Sequence, residues 1–431
     1  VLPRARYSRG MVLEWRLVLP LLAASAMAQR PEPQTTYGSV DASTIDGKVL
    51  CGYQAWFRCP GDRDGRGWYH WSRDGRRIAP ETLTFEMWPD MAAYGEGERY
   101  PAPGFTLPDG SPATLFSSAN PTTILRHFRW MAEHEIDGAL VQHFLVGLPG
   151  GPIAELYPTR RKVLEEIAGA AGATGRTWAI AYDIAGMPPE TIYDVLTSDW
   201  KRSVDSGLVG GPRYLRQDGK PVVQVWGFYR KSPSNPMTPE LAHRIVDFFK
   251  VECRGKYAAY LIGGGDWDWR RDEEQRKVVH RFDAYSPWNV GNWRRDEKGE
   301  AHASTGWWDE DRRDCEGHGV RWLPVVYPGF GWDNLTRKPP GTSTIPRRRG
   351  AFYWEQFRDL RRLGVRSVVV AMFDEVDEGT AIFKVTSTPP TQAHFLTFEG
   401  LPSDWYLRLT REGARLLRGD RPDSEAIPIQ P

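Results

Sequence analysis

Short apolar runs alternate with amphipathic segments along most of the chain. Eight runs are rich in Val, Ile, Leu, Ala and aromatic residues: 50–57, 138–144, 177–183, 221–228, 258–263, 282–287, 322–327 and 367–373. None shows clean alternation of period two, which marks parallel strands covered on both faces. Between them lie helical patterns. Residues 122–135 carry Ile124, Phe128 and Met131 at helical spacing, and 159–171 carry Val163, Ile167 and Ala170. Helices over 188–203 and 238–250 begin with Pro188-Pro189-Glu190 and Thr238-Pro239-Glu240, where proline suits the first turn. Further helices are predicted at 273–280, 307–317, 353–363 and 403–418. Strands alternating with helices imply a parallel sheet. Eight such units predict a closed (β/α)8 TIM barrel in preference to an open doubly wound sheet.

The first strand-to-helix connection is very long, about 58–119. It contains Gly61-Asp62-Arg63-Asp64-Gly65-Arg66-Gly67 and several proline turns. A long loop without regular structure is usually functional, and in a barrel it sits on the C-terminal face, where active sites are built. Residues 213–223 read as a small hairpin turning at Asp218-Gly219. The chain then divides into a leader over 1–28, a polar linker or arm over 29–48, one barrel over 49–420 and a tail over 421–431. The leader reading rests on Arg4, Arg6, Arg9 and Arg16 ahead of the apolar run 17–28, which closes on Ala26-Met27-Ala28. That pattern predicts a signal peptide cleaved after Ala28, hence a secreted or periplasmic protein, the alternative being a retained lipid-facing anchor. The run is short for a membrane span, so no stable insertion is expected after cleavage.

Charge excludes one class of partner. Lys plus Arg number 56 and Asp plus Glu 55, so the chain lacks the concentrated basic face that nucleic acid requires. The run Arg347-Arg348-Arg349 reads as a solvated loop. The cysteines, Cys51, Cys59, Cys253 and Cys315, include no CxxC pair, and no HExxH occurs, so neither a metal nor another cofactor is expected. Cys51 and Cys59 leave a disulfide open. The 19 tryptophans are many for 431 residues. They belong either to a large core or to the walls of a cleft in which sugar rings stack.

The most informative segment runs from Val368 to Thr380, where an apolar strand passes directly into Asp374, Glu375, Asp377 and Glu378. Such acids repel one another unless paired, solvated or protonated. At the C-terminal end of a barrel strand they point to chemistry. Glycoside hydrolysis usually needs two carboxyl groups with separated proton affinities, and a turn would bring Glu375 and Glu378 to one side. The plain alternative is a solvated acidic loop or a cation site. Other strand ends supply candidate sugar-binding groups: Gln142 and His143, Tyr182 and Asp183, Trp226, Asp266 and Trp267 after a run of glycines, Tyr285 and Trp288, and Tyr327. His70 and Trp71 on the long first loop form a candidate wall. Asp183 serves equally as a helix-start cap, and a lone histidine such as His143 is more often a packed residue than a catalyst, although its place at a barrel strand end favours a site.

Phe373-Asp374-Glu375-Val376-Asp377-Glu378-Gly379-Thr380 resembles the strand-eight signature of glycoside hydrolase family 99, the endo-α-mannosidases and endo-α-mannanases, approximately Asn-Glu-Trp-His-Glu-Gly-Thr. Tyr53-Gln54-Ala55-Trp56-Phe57 with Trp68-Tyr69-His70-Trp71, Pro324 to Phe330, and Arg347 to Tyr353 resemble other stretches of that family in the same order. The resemblance implies that Glu378 is the general acid/base. It implies that Glu375 assists the sugar's own 2-hydroxyl, giving retention through a 1,2-anhydro intermediate. Asp374, Val376 and Asp377 depart from the pattern and change the charge and the wall beside the site. The expectation is an exported glycoside hydrolase acting on α-linked polysaccharide or glycan. The alternatives are a non-catalytic carbohydrate-binding barrel and a metal-dependent barrel hydrolase.

Overall fold

A computed structural model of the chain describes residues 37–228 and 237–431. The predicted leader and the start of the polar arm lie outside the described residues. Residues 37–48 run along the strand starts: Val40 N donates to Gly175 O, Ile45 N to Gln217 Oε1, and Ser367 Oγ to Ile45 O.

Parallel strands occupy the predicted runs. They are β1 (Val49–Tyr53), β2 (Gly138–Phe144), β3 (Thr177–Asp183), β4 (Lys220–Phe228), β5 (Tyr260–Gly265) and β6 (Ala284–Pro287). The strand β7 is made of two pieces, Arg321–Trp322 and Val325–Val326, and β8 spans Val368–Val370. Each pairs with its sequence neighbour, and β8 pairs with β1 through Leu50 opposite Val369. The predicted single run 322–327 is broken because Pro324 has no N–H to give to a ladder. Its flanks serve different edges: Leu323 N donates to Tyr285 O on β6, while Pro324 O accepts from Val369 N on β8. One short segment therefore bonds both edges of the sheet and brings its ends together.

Helices α1 (Pro121–Glu133), α2 (Tyr157–Thr174), α3 (Pro189–Asp205), α4 (Pro239–Asp247), α5 (Glu273–Val279), α6 (Trp308–Gly317), α7 (Ala351–Arg362) and α8 (Trp405–Arg418) follow the predicted segments. Their apolar stripes are buried as the spacing requires: Ile124, Phe128 and Met131 on α1, Val163, Ile167 and Ala170 on α2. Thr238 caps α4, its side chain accepting from Leu241 N. The hairpin before β4 turns on Asp218 and Gly219, both at positive φ, as a two-residue type I′ connection demands.

The connection between β1 and α1 differs from the expected structureless loop. It contains an antiparallel hairpin, Tyr100–Thr106 with Pro112–Leu115, and several 3-10 turns. Its rings explain why it packs. Trp88 meets Phe85 and Phe105, all three meet Phe395, and all four rings are buried. Among the described residues, seven tryptophans, including Trp71, Trp88 and Trp178, are almost completely buried, so much of the tryptophan excess serves the core. All four cysteines are free thiols.

Candidate active site

The strand β8 delivers its acids into a tight loop at the C-terminal ends of the strands. Asp374 has no exposed surface and accepts from Gln54 N at 2.8 Å and Ala55 N at 2.9 Å. Ala55 sits at φ +50°, a conformation alanine rarely adopts, so this carboxyl clamps the end of β1 in a strained turn. Burial pushes Asp374 up to about 7, against the two hydrogen bonds that favour its ionised form. Its work is structural.

Glu375 is buried and accepts from Gln54 Nε2 at 2.9 Å. Burial, then the charges of Glu378 and Asp377, push its carboxyl well above the usual range. Glu378 is only partly covered, and burial pushes it up to about 7. Because the charge of Glu378 helps to raise Glu375, the two carboxyls titrate as a pair and not independently. Asp183, buried at the end of β3, feels the charge of Glu378. Burial, reinforced by the charge of Glu378, raises it to about 7 while its Oδ1 accepts from Ala185 N at 2.8 Å. It therefore closes its own turn and also lies within electrostatic reach of Glu378.

Asp377 meets His70, whose Nδ1 lies 3.2 Å from Oδ2. Burial and then Glu378 raise Asp377 strongly. Burial, Arg160 and Arg58 push the His70 imidazole down to about 3. A protonated carboxyl donating to a neutral ring satisfies both directions. His70 also stacks on Trp56 at 3.8 Å, and the two form a wall beside the cluster. Val376 is fully buried and forms no wall; its carbonyl instead accepts from Glu86 N at 2.7 Å.

The other candidates separate into two groups. Trp226 and Trp288 are partly exposed and meet edge to face at 6.1 Å, and Trp267 packs on Trp307 at 4.3 Å. With Asp266, also partly exposed, they leave aromatic faces at strand ends. Five residues are corrected from cleft to interior. Trp71 is buried, packs on Phe57 at 4.1 Å and donates from Nε1 to Phe116 O. Tyr182 is buried with its hydroxyl on Asp199 at 2.9 Å, and His143 Nε2 lies 3.3 Å from the same carboxylate. These bonds hold Asp199 below the usual range although burial opposes them. Tyr285 and Tyr327 are buried and donate to Asp266 O and Asn292 O. Each ring fills the space under the strand ends, so its hydroxyl is used up in the fold. Gln142 is nearly buried, its carbonyl accepting from Arg160 at 2.6 Å.

Among the described residues, two groups have metal-ligand spacing, His280–Asp314–His318 and Asp296–Glu300–His302. Neither includes a residue of the carboxyl cluster.

No protein-family model matches the chain, and no curated protein matches it. Solved structures do. The GH99 endo-α-mannosidase from Bacteroides thetaiotaomicron superposes with a TM-score of 0.63 at 17% identity, covering 88% of this chain and 100% of that one. The same enzyme in complex with BIS-TRIS-propane gives 0.62 at 17% identity, covering 87% and 99%. The chain shares the fold of that endo-α-mannosidase.

On this endo-α-mannosidase fold, several residues that hold the carboxyl cluster carry no local sequence signal. Gln54 is an isolated amide at a strand end. Glu86 lies in the long first connection, buried and raised to about 7, its Oε1 accepting from Asn334 N at 2.6 Å. Arg347 corrects the solvated-loop reading. It is buried, stacks over Tyr406 at 4.5 Å, and donates from Nη2 to Gly379 O and Ala381 O at 2.7 and 2.8 Å. It grips the backbone just after Glu378. Its place at the head of the Arg-x-Arg-Gly stretch is the only signal that marks it.

Proposed function

We propose that the chain is an exported glycoside hydrolase built on a (β/α)8 barrel with an enlarged first loop. It cleaves α-linked polysaccharide or glycan with retention, through participation of the sugar's 2-hydroxyl. The observation that carries this reading is the pair Glu375 and Glu378 in one loop, both raised, with Gln54 on the first and the second partly exposed. The shared fold of a family 99 endo-α-mannosidase supports it.

In this reading Glu378 protonates the departing glycosidic oxygen. Glu375 removes the proton from the 2-hydroxyl, whose oxygen closes on the anomeric carbon to give a 1,2-anhydro sugar. Water then opens that ring at the anomeric carbon, Glu378 accepting the water's proton while Glu375 returns its proton to the 2-oxygen. The partly exposed tryptophans stack the flanking sugars, and no cofactor takes part. A screen of α-mannans, α-glucans and xylans for released reducing ends, with anomers assigned by NMR, tests it. The expected result is turnover of an α-linked polymer with the α-product formed first. Binding without release across the panel would instead mark a non-catalytic carbohydrate-binding protein.

A further inference from the structure

A cavity opens beside His70. It measures about 210 Å³; three arginines, Arg58, Arg66 and Arg160, and His70 line it beside an apolar wall of aromatic and aliphatic side chains that includes Trp56, Phe144 and Ile153. We infer that this cavity is a subsite for an acidic sugar, one bearing a carboxylate or a sulfate ester. The inference rests on the glycosidase reading and names the substrate class that the site would take.

The charges around the cavity do not cancel. Arg58 is neutralised by Asp64, with Nε 2.6 Å from Oδ2. Arg160 meets no carboxylate among the described residues. It donates to Gln142 O at 2.6 Å and reaches Gln54 O and Ala55 O only at 3.5 Å. Arg66 donates to Glu155 O at 2.8 Å, and its nearest carboxylate, that of Glu155, lies 3.8 Å away and 65% exposed. The remaining acids that face this region are committed. Asp374 is held by the backbone of β1, and Asp377 by His70. A guanidinium left without a counter-ion in a partly desolvated pocket is a ready partner for a planar anion, which it meets with paired hydrogen bonds.

A second feature points the same way. Helix α2 begins beside the cavity, and Thr159 and Arg160 of its first turn line it. Its N-cap is Leu156, which supplies no side-chain cap. The positive end of a helix of 18 residues therefore adds to the field of the arginines. The low affinity of His70 for a proton, caused after burial by Arg160 and Arg58, reports that same field.

The walls suit a sugar. Trp56 lies between His70, stacked at 3.8 Å, and Phe144 at 5.3 Å. The cavity also adjoins the carboxyl cluster, because His70 touches Asp377 and the Gln54 carbonyl near Arg160 belongs to the residue that holds Glu375.

The test is calorimetry on the full chain at low salt with sodium D-glucuronate, D-glucose 6-sulfate, D-glucose and inorganic sulfate. One acidic sugar is expected to bind about tenfold more tightly than glucose, and less tightly as salt is added. The better of the two acids identifies the group. Arg160→Met should abolish the preference. Arg66→Gln, whose side chain holds little of the fold, should reduce it about threefold while the melting temperature stays unchanged. Equal binding of glucose and both acids overturns the inference, as does a preference that survives both substitutions. Inorganic sulfate binding as well as the sugars means an adventitious ion only, and overturns it too. Turnover is not read in this experiment. An absent preference therefore removes the subsite alone, whereas an active Glu378→Gln enzyme removes the catalytic reading alone.

Discussion

The amide of Gln54 donates to the carboxyl of Glu375 across 2.9 Å, tying the end of β1 to the loop after β8. The same residue's backbone N–H holds Asp374. Gln54 thus orients one acid through its side chain and another through its main chain. Gln54→Ala keeps the main-chain bond and loses the side-chain one. It is expected to fold normally and to lower kcat by roughly tenfold to a hundredfold, the worth of a hydrogen bond to a charged group. The basic form of Glu375 loses its donor, so the acidic limb of the pH profile moves upward. Steady-state kinetics over pH checks both effects.

Burial raises the carboxyls of Asp183, Asp374, Glu378 and Glu86 to about 7. In the unfolded chain they titrate at about 4. The folded state therefore holds more protons between those values, and stability is lost as pH rises through about 7. The melting temperature is expected to fall by about 5 °C or more between pH 5.5 and 8. Asp377→Asn removes another buried acid with a raised proton affinity. It is expected to melt higher than the parent at pH 8 and near it at pH 5.5, which differential scanning calorimetry measures.

Arg347 holds the backbone behind Glu378 with two hydrogen bonds to carbonyls. Arg347→Met keeps the packing on Tyr406 and leaves those carbonyls unpaired. A loss of about 2–4 kcal/mol in unfolding free energy is expected, with kcat falling more than KM rises. Denaturant titration with parallel kinetics reads the two.

The strand runs were legible because buried parallel strands are apolar on both faces. Gly138–Phe144 and Thr177–Asp183 fall where the apolar pattern put them. The break in β7 was written in Pro324, yet an apolar run on either side hides it. The acids after β8 stood out because carboxyls rarely follow a buried strand directly. The partners that hold them did not stand out. Gln54, Glu86 and Arg347 are separated in sequence from the acids and meet their loop only through the fold. Tyr182, Tyr285 and Tyr327 show the converse limit: an aromatic at a strand end reads alike whether it faces a cleft or the core, and only packing separates the two.

The electrostatic coupling of Glu375 to Glu378 sets the shape of the pH dependence. Below the first apparent pKa of the pair both are protonated and the base is lost. Above the second both are ionised and the acid is lost. A bell-shaped profile of kcat/KM is expected, with its descending limb near or above 7, as the value for Glu378 requires. A profile that rises steadily to pH 9 would separate the catalytic acid from this pair.

The central claim is that Glu378 delivers and receives the proton. Its side chain is partly exposed and is not among the bonds that clamp the loop, so Glu378→Gln is expected to melt within about 2 °C of the parent. Hydrolysis of the best α-linked substrate found in the polysaccharide screen is the direct measurement. The account predicts that kcat falls by about a thousandfold or more, with binding retained. Hydrolysis at the parent's rate by a correctly folded Glu378→Gln protein would contradict it.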